Sequence, residues 1–288
     1  MVERRELRQG ANVGREEASR AIWQFEGFPS SYGRLLGESQ GPVGPDVLLE
    51  LAARAGLSER SLVVDAACYD ASTSLPLVER FGCRLIGVDL GRHGFDTRIR
   101  STGDWTADGR LSYVQGRLEA MPVATGCCDL VWCRDALSVA DCAATLRELV
   151  RIAVPGGTVL LHTTCATPLL EAGERETLFT DLALDPTSMD AAAVEREAVR
   201  AGLAVLEHVS VGSQWLQHRL ENSPTASDLL SLARLTERPE RCGAAWGEVW
   251  YRRILGWHRW PIYQALGKLQ GHIWLLRTRG RADAGEQR

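Results

Sequence analysis

Downstream of Gly56 the chain alternates short aliphatic runs with longer stretches in which apolar positions recur at helical spacing. The first pattern is that of buried strands, the second that of amphipathic helices. The runs "SLVVDA", "RLIGVDL", "LSYVQG" and "CDLVWC" read as four strands, and Pro155–Gly157 turns the chain into a fifth, "TVLLHTT". Asp46 is placed to cap a helix whose Leu48, Leu51 and Ala52 share a face, and Gly56 is placed to stop it. Leu75–Phe81 reads as a helix ended by Gly82, with Pro76 tolerated only in its first turn and Thr73 or Ser74 as the cap. Asp141–Ala153 is amphipathic, with Leu146, Leu149, Val150 and Ala153 inward. Met189–Gly202 reads as a helix, "LAVLEHVSV" as a sixth strand, and "HIWLLRTR" as the last, after a mostly helical, Trp-rich segment from Gln214 to Leu269. Strands alternating with helices imply a mostly parallel α/β sheet covered on both faces. Ligands in such sheets bind at the carboxyl ends of the strands.

Composition narrows the function classes. The 288 residues are 45% hydrophobic and 24% charged, which suits a globular protein with a sizeable core. The net charge of −4 gives no reason to expect nucleic-acid binding. No apolar run is long enough to span a bilayer, and "MVERRELRQG" lacks the apolar centre of a secretory signal, so a cytoplasmic location without stable membrane insertion is expected. None of the eight cysteines forms a C-x-x-C pair, so no metal site is expected and the thiols read as small core residues. Lys268 is the only lysine, which disfavours Schiff-base chemistry.

Chemistry-bearing residues collect at strand ends. Asp65 ends the first strand and Asp89 the second, in "GVDL". "QGRLEAMP" follows the third, "CDLVWCRDAL" forms the fourth and its exit, and "VPGGTVLL" enters the fifth. This succession resembles the class I S-adenosylmethionine-dependent methyltransferases, within the small-molecule group that includes quinone-biosynthesis and arsenite methyltransferases. The resemblance implies a seven-stranded, mostly parallel Rossmann-like sheet with helices on both faces and a helical cap. By the same resemblance, residues 1–45 join the cap, 46–213 form the core, 214–270 the helical cap insertion, and 271–288 the last strand and a polar tail. It implies S-adenosyl-L-methionine as cofactor and a small, partly apolar molecule as substrate. Asp89 then accepts hydrogen bonds from both ribose hydroxyls, with Leu90 beside it. Asp65 orients the loop Ala67–Tyr69 near the methionine end, Cys133 lies near that end, and Arg117, Leu118 and Glu119 border the adenine.

The departures from that family bear on activity. Its D-x-G-x-G-x-G loop reads "DAACYDA" here, and glycine is required where backbone meets ligand or takes positive φ. Arg117 stands where the family has an acid that accepts from the adenine amino group, and arginine has only donors. The site is therefore reshaped or lost. The alternative to methyl transfer is a protein of the same fold acting as a cofactor-independent, cyclase-like enzyme or a non-catalytic binder. A nicotinamide-binding sheet is disfavoured by the absence of all three loop glycines. Asp135 and His162 are the catalytic candidates. Asp135 has the alternative of capping the next helix, and His162 that of a core histidine. Tyr32, Trp215, His218, Trp250 and Trp257 are the substrate-side candidates, although the Trp-rich segment reads chiefly as core packing of the cap. An oligomer is compatible with the sequence.

Overall fold

A computed structural model describes residues 46–91, 109–211 and 225–280, all within one unit, Gly41–Arg288. Helix α1 (Asp46–Ala53) leads into β1 (Leu62–Ala66), α2 (Leu75–Phe81), β2 (Arg84–Asp89), β3 (Leu111–Gln115) and β4 (Cys128–Arg134). A 3-10 turn, Leu137–Val139, precedes α3 (Cys142–Ile152), β5 (Ala153–Ala166), α4 (Ala172–Leu182), α5 (Ala191–Arg200) and β6 (Leu203–Ser210). Three helices, α6 (Thr225–Thr236), α7 (Pro239–Trp246) and α8 (Glu248–Ala265), come before β7 (Leu269–Thr278).

The described strands form one seven-stranded sheet in the order β3-β2-β1-β4-β5-β7-β6. The first five strands pair in parallel, and β7 runs antiparallel to both β5 and β6. Strand order reverses between β1 and β4, and ligands of open α/β sheets bind outside the carboxyl ends of the strands at such a point. One face carries Val64, Val131, Val159, Leu161 and Trp274 in a core with Leu146 and Leu149 of α3 and Val194 of α5. The other carries Val63, Leu130, Trp132, Leu160 and Ile273 against Leu48 and Leu51 of α1 and Leu77 and Val78 of α2.

Local signals act where the sequence put them. Gly82 ends α2 in the left-handed region at φ 68°, and Pro76 lies in the first turn of that helix. Asp141, not Asp135, caps α3, accepting from Ala144 N at 2.7 Å. Ser74 occupies the N-cap position of α2 without bonding its backbone, because its hydroxyl donates to Asp65 Oδ2 instead. The Pro155–Gly157 turn is absorbed into β5, which starts at Ala153.

Candidate active site

The loop leaving β1 keeps a left-handed backbone without glycine. Ala67, Tyr69 and Ala71 hold φ values of 65°, 46° and 56°. A side chain in that region costs about 1–2 kcal/mol per residue, so the surrounding bonds must hold the loop in shape. Ala67 N and Cys68 N both donate to Val88 O, at 2.8 and 3.0 Å, and Tyr69 N donates to Asp89 Oδ2 at 2.9 Å. Gly91 N donates to the other oxygen, Oδ1, at 3.0 Å. The Asp89 carboxylate thus ties the β1 loop to the β2 exit. The Tyr69 ring is 65% exposed and Leu90 is also exposed.

Asp65 lies beneath this loop, fully buried. Burial pushes its carboxyl up from 3.8 to about 7, against the Ser74 hydrogen bond and the charge of Arg134, which pull it down. Arg134 ends β4, its Nε 3.9 Å from Asp135 Oδ2. Asp135 follows at φ 53°. Its Oδ1 accepts from Thr164 Oγ1 at 3.2 Å and faces His162 Nδ1 at 3.2 Å. His162 and Thr164 alternate along β5, so both point to one face of the sheet. The His162 ring is 3% exposed, and a Cβ at Gly271 would stand 3.1 Å from its Nε2, so glycine there makes room for the ring. The Asp135 side chain is 43% exposed and is the accessible end of the pair. Burial alone would raise its carboxyl, but the charge and hydrogen bond of His162, with Arg134 and Thr164, outweigh burial and hold it at about 2.

Below β3, Arg117 and Glu119 pair at 3.5 Å and Leu118 packs on the core. Met121 N donates to Glu148 Oε1 at 2.6 Å, and Arg151 binds both Glu148 and Met121 O, fixing this turn to α3.

Part of the chain, and the fold as a whole, have counterparts among known proteins. Residues 64–161 match the family described as "Methyltransferase domain". The match runs from β1 to β5, so that part of the sheet is similar to a methyltransferase domain. A tocopherol O-methyltransferase of Arabidopsis thaliana is 32% identical over 118 residues, 39% of this chain, and the match spans 32% of that protein's length. Two solved structures share the fold. One, described as a sarcosine dimethylglycine methyltransferase from Galdieria sulphuraria, superposes with TM-score 0.61 at 16% identity, over 82% of this chain and 85% of the other. The second is a geranyl diphosphate C-methyltransferase from Streptomyces coelicolor A3(2), solved with geranyl diphosphate and S-adenosyl-L-homocysteine, at TM-score 0.58 and 15% identity over 81% and 79% of the two chains.

The expected residues do not all lie together. Asp65, Ala67, Tyr69, Asp89, Leu90 and Asp135 gather at the carboxyl ends of β1, β2 and β4. Cys133, expected near the methionine end, pairs with Ala66 at the end of β1 and is buried, and burial pushes its thiol up to about 12. Trp250 and Trp257, expected mainly as core, are exposed on α8, because that helix seats its opposite side on α4 and α6. Tyr32, Trp215 and His218 lie outside the described residues.

Three residues had no place in the sequence reading. Thr164 could have been found by its period-two relation to His162, and Arg134 as a cation ending a buried strand. Gln264 of α8 donates to Thr164 Oγ1 at 3.3 Å, a contact that depends on the cap helix returning to the sheet. Among the described residues no cluster of His, Cys, Asp and Glu suits a metal ion, and no helix is long and apolar enough to cross a membrane.

Proposed function

We propose that the chain is an S-adenosylmethionine-dependent methyltransferase acting on a small, partly apolar molecule. The observation that carries the reading is the β1 loop, which keeps its left-handed backbone with alanine and tyrosine where glycine is the easy choice. The residues fit the cofactor. Each Asp89 oxygen accepts one backbone N–H and retains acceptor capacity for a ribose hydroxyl. Tyr69 and Leu90 are exposed beside Asp89, and Leu90 offers an apolar surface for a base. Arg117 lies in a position to stack or donate rather than accept.

When bound, S-adenosylmethionine supplies an electrophilic methyl group. The chain's own part is to position the acceptor and take its proton. Asp135, ionised and held by His162 and Thr164, accepts a hydrogen bond from the acceptor's hydroxyl or amine. A carboxylate held near 2 is a weak base. It orients the nucleophile and takes the proton only once that atom has become acidic by alkylation. Buried His162 is a positioning residue for Asp135.

Calorimetry with S-adenosylmethionine and S-adenosylhomocysteine tests this directly. Both are expected to bind wild type, and failure of both removes the proposal. Asp89→Ala leaves two hydroxyls poorly paired and should weaken binding by roughly 1.5–3 kcal/mol. Unchanged affinity in a folded variant would take Asp89 out of the site. Tyr69→Gly should change S-adenosylhomocysteine affinity less than about twofold while raising stability by roughly 0.5–1 kcal/mol, through relief of the left-handed backbone. A tenfold gain in affinity would mean that the ring intrudes after all.

A further inference from the structure

We infer that the acceptor site continues along α8 as a track for an elongated amphipathic molecule, an apolar chain bearing an anionic group that rests on Arg253 while its reacting end lies by Gln264. The inference rests on the methyltransferase reading and adds the class of acceptor.

Helix α8 has three faces. Arg252 and Arg259 reach α4, where both bind the buried carboxylate of Asp181 at 2.9 and 2.8 Å. Gly256 lies on the same side, where a Cβ would come within 2.8 Å of Leu182. A second face meets α6: Tyr251 Oη donates to Leu235 O at 3.2 Å and His258 Nδ1 meets Asp228 at 2.9 Å. The third face is exposed along its first half. It carries Trp250 and Trp257, 51% and 55% exposed, with ring centroids 6.1 Å apart in an edge-to-face pair. The Arg253 guanidinium lies 5.6 Å from the Trp250 ring. Trp246 and Val249 extend the exposed apolar surface at the far end.

Gln264 belongs to the same stripe. On a regular helix, positions 250, 253, 257 and 264 fall within about 60° of one another. Pro261 removes one backbone donor between them, but the Gln264 contact with Thr164 fixes the near end of the stripe on the Asp135 cluster. From Arg253 to Gln264 the helix rises roughly 16 Å, and from Trp250 roughly 21 Å. A small polar acceptor cannot touch both ends.

Charge identifies the far end. Arg252 and Arg259 are neutralised by Asp181, whereas no carboxylate lies against Arg253 among the described residues. A guanidinium on an aromatic face is suited to pair a carboxylate or phosphate from a bound chain. An exposed apolar stripe that runs from such a cation to the reacting centre is a binding surface for a molecule of that polarity.

The test uses the intact chain and tryptophan fluorescence, with dodecanoate, butanoate and dodecanol as probes. Dodecanoate is expected to bind saturably and at least about tenfold more tightly than either of the others, a difference of about 1.4 kcal/mol. Arg253→Gln should lower dodecanoate affinity about five- to tenfold and leave dodecanol unchanged. Trp257→Ala should weaken both long probes, and Trp257→Phe should restore most of the loss, which separates a lost contact from a lost fold. S-adenosylhomocysteine affinity, measured on the same variants, should not move. Failure of the track therefore shows as an altered probe series with cofactor binding intact, and failure of the methyltransferase reading as no cofactor binding at all. Equal binding of butanoate, or an Arg253→Gln variant that holds dodecanoate like wild type, overturns the proposal. It is equally overturned if the stripe instead drives binding to phosphatidylglycerol vesicles, or a dimer lost in Trp257→Ala, while dodecanoate does not bind.

Discussion

Asp135→Asn is expected to lower turnover by roughly 100-fold, the scale of loss when a reacting atom is no longer held in position. The variant keeps the size of the side chain and can still meet Thr164 and His162, so the loop should stand. What it loses is the charge that both partners hold in place. Affinity for S-adenosylhomocysteine should stay within a few-fold, because the proposed function gives Asp135 to the acceptor and Asp89 to the ribose. The pH dependence has a defined sign. The folded carboxyl is held at about 2, so Asp135 is ionised at all working pH values and contributes no acid limb to the wild-type rate above about pH 4. A loss of turnover smaller than about threefold would mean that Asp135 takes no part in the chemistry.

The strands and most helix ends were legible because each is set by local chemistry. Pro76 and Gly82 bracket one helix and Asp141 caps another, and each of those effects is complete within a few residues. The loop was harder to read. Loss of three glycines argues for a changed backbone, yet Ala67, Tyr69 and Ala71 stay left-handed. The bonds that hold them reach to Val88 and Asp89, across the sheet and about twenty residues downstream. Periodicity could mark Trp250 and Trp257 as sharing a helix face but not which face would be covered. That choice was made by Asp181, Leu182 and Asp228, in helices distant along the chain. Ser74 presents the same limit in small form: its position reads as a cap, and a buried carboxylate takes its hydroxyl.

That buried carboxylate yields the largest stability effect. Asp65→Asn should make the protein more stable at neutral pH, and the gain should grow with pH. Below 3.8 the carboxyl is protonated in both the folded and unfolded chain, and burial exacts no electrostatic penalty. Between 3.8 and about 7 the unfolded chain ionises while the folded one holds its proton, so wild type loses stability as pH rises. Above about 7 both forms are ionised and the loss is complete. At about 1.4 kcal/mol per pH unit, that span amounts to roughly 4 kcal/mol, an upper bound because the fold relaxes around a buried charge. Asparagine keeps an acceptor for the Ser74 hydroxyl and has no charge to bury. Urea unfolding of both proteins at pH 4, 5.5 and 7.5 measures the difference. Near-equality at pH 4 and a margin of several kcal/mol at pH 7.5 is the expected result. A margin that stays flat, or narrows as pH rises, would mean that Asp65 is ionised in the folded protein and that Arg134 stabilises its charge.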